Sequence, residues 1–170
     1  TAVGGVQDTT PDITASTIII EGGRSVGASE RLELQGSTTT DISVRNTDGD
    51  INIANIAISD SIISSLIVDG VGDIRLEQLG STNGNARTLS VGTVDTADGN
   101  IFITKNGAGG NTATSEGLTI TGNVEAGGDG DIAIVTATRG NIDIEGQLQA
   151  LSDDITVTSV DAIEVEDGAI

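Results

Sequence analysis

The sequence predicts an all-β protein, namely a right-handed parallel β-helix (a β-solenoid), as a single domain over residues 1–170. Three observations predict this fold class. Ile, Thr and Val number 23, 22 and 13 of the 170 residues, so about a third of the chain is β-branched and favours strands. Short segments alternate apolar and polar residues, and most of them follow a turn residue. Such a segment recurs in two series with a period of about 24 residues, as expected for a solenoid.

The recurring phrase is a turn followed by a strand with one apolar face. It reads Gly, then Asp or Asn, then two apolar residues separated by one other residue. Gly, Asp and Asn suit tight corners, and the alternation that follows buries one side of a strand. The clearest copies begin at Gly49, Gly72, Gly99, Gly130 and Gly140.

The strands form two interleaved series, which predicts two main strands in each coil. The first series begins at Ile18, Ile42, Leu66, Leu89, Leu118, Ile142 and Ile163. The second begins at Leu32, Ile51, Ile74, Ile101, Ile132 and Ile155. A shorter apolar step that follows several first-series strands predicts a third side. This step lies at Val71, Val94, Val124 and Leu148. We therefore expect about seven triangular coils, with the right-handed crossover typical of parallel strands.

Two parts of the chain depart from the repeat. Residues 1–16 are the least regular and are predicted to form an entry coil. Residues 104–117 are rich in Gly, Thr and Asn and lengthen one coil to about 30 residues. We expect this insertion to be a loop that protrudes from one edge of the solenoid.

The composition excludes several classes of function. The chain has no His and no Cys, which removes disulfides, thiol nucleophiles, Ser-His-Asp triads and His- or Cys-ligated metal sites. A single aromatic residue offers no platform for stacking bases or sugars. The net charge of −19 would repel nucleic acid and anionic membranes, and no apolar run is long enough for a membrane helix. We therefore expect no nucleic-acid partner and no membrane insertion.

The repeated phrase also carries a family resemblance. Gly140-Asn-Ile-Asp-Ile144, followed by Gly146-Gln-Leu-Gln-Ala150, resembles the haemagglutinin-type β-helical repeats of large secreted bacterial exoproteins. That group includes filamentous haemagglutinin-like adhesins and autotransporter passenger domains. The similarity is greatest over residues 89–170. The resemblance implies an extracellular or bacterial cell-surface location, and a role in adhesion, fibre formation or biofilm matrix.

The ends of the repeat predict self-association. The last phrase, residues 162–170, is a repeat cut in mid-coil and still in register, and no capping segment is recognisable. An open coil exposes unpaired strand edges and apolar side chains. We therefore expect end-to-end contacts with copies of the chain, giving a homopolymer, or with adjoining β-helix segments. The predicted assembly residues are Val3, Val6, Ile13, Ile163, Val165 and Ile170.

Calcium is the one cofactor that the sequence suggests, although the predicted fold does not require it. Paired Asp residues at turns supply the hard oxygen ligands that Ca²⁺ prefers. Four such pairs recur, namely Asp48 with Asp50, Asp69 with Asp73, Asp129 with Asp131, and Asp153 with Asp154. The predicted ligands are the six residues of the first, third and fourth pairs. Asp is also an ordinary turn former, so hydrogen bonds from the turn backbone to these side chains are the favoured interpretation.

These observations lead to two expectations about function. The favoured one is a non-enzymatic extracellular structural protein, either a head-to-tail filament subunit or a stalk segment of a fibrous bacterial surface adhesin. An enzyme is not expected, because the abundant carboxylates form no recognisable catalytic set and basic residues are few. The alternative is a calcium-dependent module that binds a host or matrix polysaccharide, with residues 104–117 as its recognition loop.

Overall fold

The computed structural model describes residues 10–28, 30–36, 40–79, 87–106, 117–137 and 140–169. These residues form parallel strands stacked in two sheets, which confirms the predicted β-solenoid. Sheet A contains β1 (Ile13–Thr14), β3 (Leu32–Gln35), β5 (Ile51–Ile56), β7 (Ile74–Leu79), β9 (Ile101–Lys105), β12 (Ile132–Thr136) and β15 (Ile155–Thr158). Sheet B contains β2 (Thr17–Gly22), β4 (Thr40–Asn46), β6 (Ser61–Val71), β8 (Leu89–Asp98), β10 (Leu118–Ile120), β11 (Val124–Ala126), β13 (Ile142–Ile144), β14 (Leu148–Ala150) and β16 (Ile163–Val165). The described residues include no helix long and apolar enough to cross a membrane.

The core is a set of ladders in which equivalent apolar residues stack from strand to strand. In sheet A, one ladder joins the first apolar residue of five successive strands. Its members are Ile51, Ile74, Ile101, Ile132 and Ile155. The first four are fully buried, because each strand alternates inward and outward residues and a neighbouring strand covers both edges. The sequence period therefore becomes a continuous apolar column inside the solenoid.

The solenoid has about five turns rather than the seven predicted. Five strands of sheet A have a neighbour on each side, namely β3, β5, β7, β9 and β12. The outermost strands contribute less, since β1 is two residues long and the inward residues of β15 are only half-buried. The two terminal phrases of the repeat therefore form partial turns.

The predicted third side is present, but it forms strands of its own only in the later turns. Val94 lies within the long strand β8 and pairs with Val124 in the short strand β11, which in turn pairs with Leu148 in the short strand β14. The prediction for Val71 was wrong. Val71 is 62% exposed at the end of β6, and Leu66 is the residue that pairs with Val94.

The predicted register was also wrong for three pairs in the earlier turns, namely Leu32 with Ile51, Ile42 with Leu66, and Leu66 with Leu89, which pairs with Ser61 instead. Leu32 pairs with Ile53 and not with Ile51, which is bridged by Val26 instead. In sheet B, Ile42 pairs with Ile63 and not with Leu66, and the register shifts after Ile42. A two-residue slip keeps the period-two alternation, so the pattern alone could not fix the partner of Leu32. Ile63 and Leu66 are three residues apart, and this odd offset comes from the register shift between β4 and β6.

The two irregular parts are only partly described. Ile13–Thr14, inside the predicted entry coil at 1–16, forms β1 and pairs with β3. Strand β9 includes Thr104 and Lys105, so it runs two residues into the predicted insertion at 104–117. The rest of that insertion lies outside the described residues, apart from Asn106 and Gly117.

Candidate functional site

The candidate site is the open edge, which we define as the surface formed by β15, β16 and residues 166–169. Strand β16 stacks on β13 in register, with Ile163 on Ile142 and Val165 on Ile144. The chain then turns, and the Leu148 N–H donates to the carbonyl of Ala169 at 2.8 Å. Ala169 thereby extends the third side above Leu148. The last described turn thus repeats the preceding one on sheet B and on the third side.

The open edge lacks the cover that every interior turn has. Ile142 and Ile144 are fully buried by β16, whereas Ile163 and Val165 are 43% and 47% exposed. Strands β15 and β16 each end their sheet, so one side of each has no strand partner among the described residues. Apolar side chains and unpaired backbone groups therefore occur together, which is the combination that accepts an added strand.

The opposite end of the solenoid is different. Ile18 of β2 is only 4% exposed, and Ile13 of β1 is half-buried. The predicted assembly residues therefore divide unequally: Ile163 and Val165 are exposed at the edge, whereas Ile13 is partly covered. Val3, Val6 and Ile170 lie outside the described residues.

The rim of the open edge is acidic. Asp143 and Glu164 are direct cross-strand neighbours on the outer face of sheet B, and the exposed Glu166 and Asp167 follow β16. Adjacent carboxylates repel one another, and salt screens that repulsion within about a Debye length of 10 Å at 0.1 M. Contact at this edge is therefore expected to depend on ionic strength.

Three of the Asp residues considered for calcium, Asp50, Asp131 and Asp154, belong to a ladder at one corner of the solenoid. Asp73 and Asn100 fill the same position at the start of β7 and β9. Asp73 N–H donates to Asp50 Oδ1 at 3.0 Å, and Asn100 N–H donates to Asp73 Oδ1 at 2.9 Å. Asp131 N–H then donates to Asn100 Oδ1, and Asp154 N–H to Asp131 Oδ1, both at 3.0 Å. Each side chain therefore holds the backbone of the next turn, which is the interpretation favoured from sequence.

The six predicted calcium residues do not form a common site in the described part of the chain. Asp48 Oδ1 accepts from Val71 N–H at 3.1 Å, so Asp48 also has a partner in the next turn. Asp129 and Asp153 are exposed. No three or more acidic side chains among the described residues converge closely enough to hold a metal ion. Calcium binding stays a prediction.

Sequence reasoning missed a polar and aromatic cluster on the outer face of sheet A. The guanidinium of Arg75 lies over the ring of Phe102, 4.4 Å from its centroid. Arg31 bridges Glu33 and Glu77. Burial raises the pKa of Glu33, the hydrogen bond and charge of Arg31 oppose this rise, and the charge of Asp12 adds to it.

The signal for this cluster was present in the sequence but needed the register. Arg75 and Phe102 each follow the first Ile of a repeated phrase, and they become neighbours only when Ile74 stacks on Ile101. Arg31 reaches across the intervening strand β5, so its partner Glu77 is 46 positions away in the chain.

Comparison of the chain with protein-family models, with curated proteins and with solved structures finds no match in any of the three.

Proposed function

We propose that this chain is a non-enzymatic extracellular structural protein. It serves as a head-to-tail filament subunit or as a stalk segment of a fibrous bacterial surface adhesin. The observation that carries the proposal is the open edge, where Ile163 and Val165 continue the core ladders in register and remain exposed. A further turn of the same geometry would cover both side chains and pair the free strand edges.

Two further features support a structural role. The core is one continuous apolar column, and nearly all close contacts join adjacent turns, so turns can be added without changing the rest of the molecule. The net charge of −19 keeps the sides of such rods from sticking together. Association is then favoured at the ends and disfavoured along the sides.

The filament is tested by charging the open edge. Val165→Lys places an ammonium group on the ladder above Ile144 and is expected to leave a folded monomer, because a covered lysine would be desolvated without a partner. Val71→Lys is the matched control: Val71 is also an exposed valine at the end of a strand, but it lies in the middle of the solenoid. Negative-stain electron microscopy and analytical ultracentrifugation measure assembly, with circular dichroism to check folding.

The filament proposal predicts fibres one solenoid wide, roughly 20–30 Å, for the unmodified chain and for Val71→Lys. Val165→Lys is expected to give only short rods. Equal fibres from both variants would reject the open edge as the joint. Repeating the imaging in calcium and in chelator tests the metal prediction, because calcium-linked fibres would disappear in chelator.

The stalk segment is tested by a tandem fusion. Two copies joined in one chain place a second solenoid directly after the open edge. If turns continue across the joint, the fusion should have a higher Tm than the single chain, because the ladder at Ile163 becomes buried. The same fusion carrying Val165→Lys in the first copy is the control and should lose this increase. A fusion with the Tm of the single chain would argue against continuation.

A further inference from the structure

We propose that the outer face of sheet A binds a neutral polysaccharide in a groove formed by β3, β5, β7 and β9. Eight residues line it, and the six whose side chains are outside the core are Arg31, Asn52, Arg75, Glu77, Phe102 and Thr104. This site is separate from the open edge, and the inference does not rest on the structural role proposed above.

The groove is built by two rows of outward side chains. Asn52, Arg75 and Phe102 are cross-strand neighbours in one row, and Glu77 and Thr104 are neighbours in the other. The rows are two residues apart along each strand, roughly 7 Å. Together with the strand backbone they line an open groove with a volume of about 360 Å³, within the range of ligand sites. Both rows run across the strands, so an extended ligand in the groove follows the solenoid axis.

The polar groups of the groove are held in place before any ligand arrives. Arg31 is only 17% exposed and forms ion pairs with Glu33 and Glu77. Asn106 Nδ2 also donates to Glu77 Oε1 at 2.6 Å. Because these contacts fix the side chains, binding costs little conformational entropy. Fixed guanidinium donors next to fixed carboxylate acceptors can serve neighbouring hydroxyl groups, which both donate and accept hydrogen bonds.

Phe102 provides the apolar part of the site. It is the only aromatic residue in the chain, and it stands on an outer face instead of in the core. Arg75 covers the ring from the β7 side, while the neighbour on the β12 side is Ala133, which presents only a methyl group. Because Arg75 covers one face of the ring, the C–H face of a sugar can stack only on the face toward Ala133, at the β12 end of the groove, with the hydrogen-bonding groups of the groove beside it.

The charge balance selects a neutral ligand. The two guanidinium groups of the groove are matched by Glu33, Glu77 and Asp73, the last of which pairs with Arg75 at 3.2 Å. The groove therefore has no cationic excess, and the whole chain carries a net charge of −19. A polyanion would be repelled at long range, whereas a neutral chain of hydroxylated rings would not.

The experiment measures binding by isothermal titration calorimetry with the hexasaccharides of cellulose, mannan and galactan. Oligogalacturonate of the same length is the acidic comparison. Two groove variants, Phe102→Leu and Arg75→Ala, are each expected to lower the affinity for the neutral ligand by roughly tenfold or more. Phe102→Leu keeps an apolar side chain at this position, so folding is expected to be retained, and Tm checks this.

Arg45→Ala is the matched control. Arg45 forms an exposed bidentate ion pair with Asp69 on sheet B, away from the groove, and its loss should leave affinity unchanged. Three outcomes would overturn the proposal: no binding of any neutral hexasaccharide, full affinity in both folded groove variants, or tighter binding of oligogalacturonate. Because Val165→Lys leaves the groove intact, it should bind as the unmodified chain does, which separates this test from the test of assembly.

Discussion

Asp131 shows what the corner ladder does at the level of single atoms. Its Oδ1 accepts from the N–H of Asp154 in the next turn, and its own N–H donates to Asn100 Oδ1. Asn100 already fills an equivalent position with an amide. The useful property of the side chain is therefore an acceptor oxygen, and the negative charge is not needed for the bond.

This leads to a prediction for two substitutions at Asp131. Asp131→Ala should lower the free energy of unfolding by about 1 kcal/mol, because the N–H of Asp154 loses its acceptor. Asp131→Asn should be neutral or stabilising, since it keeps the oxygen and removes a charge one turn from Asp154. Urea unfolding measures both. Equal losses in the two variants would mean that the charge itself is required, and a calcium-dependent Tm abolished by Asp131→Asn would point to a bound cation.

Asp95 provides a prediction for pH. Burial raises the pKa of Asp95, the nearby charge of Asp69 raises it further, and Arg45 partly opposes the rise. A raised pKa means that the folded state holds the proton more tightly than the unfolded state does. Stability from this group is therefore present at low pH and is lost as pH rises from the ordinary carboxyl range through the raised pKa.

Asp95→Asn should accordingly be more stable than the unmodified chain at about pH 7 and no more stable at about pH 3, where carboxyls are protonated. Asp129→Asn removes the same formal charge at an exposed position and serves as the control. Urea unfolding of the three proteins at both pH values gives the comparison. An equal gain from both variants at neutral pH would assign the effect to net charge alone.

At the scale of strands, a stack of glycines makes the third side possible. Gly92, Gly122 and Gly146 occupy equivalent corners in successive turns. A Cβ atom on Gly122 would lie 2.6 Å from the carbonyl carbon of Gly92, and one on Gly146 would collide with the Gly122 carbonyl. The chain bends between β10 and β11 and between β13 and β14. At these bends the backbones of successive turns approach so closely that only a residue without a Cβ atom fits.

Gly146→Ala is therefore expected to destabilise the protein by about 1–3 kcal/mol, the usual cost of overpacking. Gly117→Ala is the control, because its Cβ would meet nothing closer than the Asn141 carbonyl at 3.9 Å. Thermal unfolding by circular dichroism compares the two. A tolerated Gly146→Ala would show that the corner can widen and that the glycine stack is not required.

The strands also show which parts of the fold could be predicted from the sequence. The phrase Gly-[Asp/Asn]-Ile-x-[Ile/Leu] located β5, β7, β9 and β12 and their mutual register, because a glycine and an Asx residue mark the start of each. Leu32 lacks that marker, and its register was misjudged by two residues. The bulge after Ile42 has no sequence signature, so the positions of Ile63 and Leu66 could not be predicted.

For the molecule as a whole, the open edge predicts a gradient of stability. Ile103 is fully buried between two neighbouring strands, so Ile103→Ala should cost about 2–5 kcal/mol in the free energy of unfolding. Ile163→Ala should cost much less in dilute protein, because the side chain is already exposed. Its cost should rise with protein concentration if copies stack, which unfolding at two concentrations measures. A large cost at all concentrations would mean that Ile163 is covered within the single chain.

The groove on sheet A can be recognised only in the folded molecule and not in the sequence. Its residues lie in β5, β7 and β9 and directly before β3, and the contacts that join these strands link residues 23 or more positions apart in the chain. Coil lengths vary, so no fixed spacing links Arg31, Arg75 and Phe102 in the sequence. Composition alone had suggested that one aromatic residue excludes sugar platforms, whereas its position beside fixed ion pairs suggests a site.

The corner ladder finally gives the rod a polarity. In every step the backbone N–H belongs to the later turn and the side-chain oxygen to the earlier one. Asp154 therefore ends the described ladder with an acceptor, and among the described residues no donor meets it. If two copies joined through the same open edge, the Asp154 side chain of one copy would face the Asp154 side chain of the other, and neither would find a donor. Only a head-to-tail arrangement, with both copies in the same direction, therefore satisfies these hydrogen bonds. A fibre built this way has two chemically different tips, and a soluble fragment that caps one tip would leave the other free to grow.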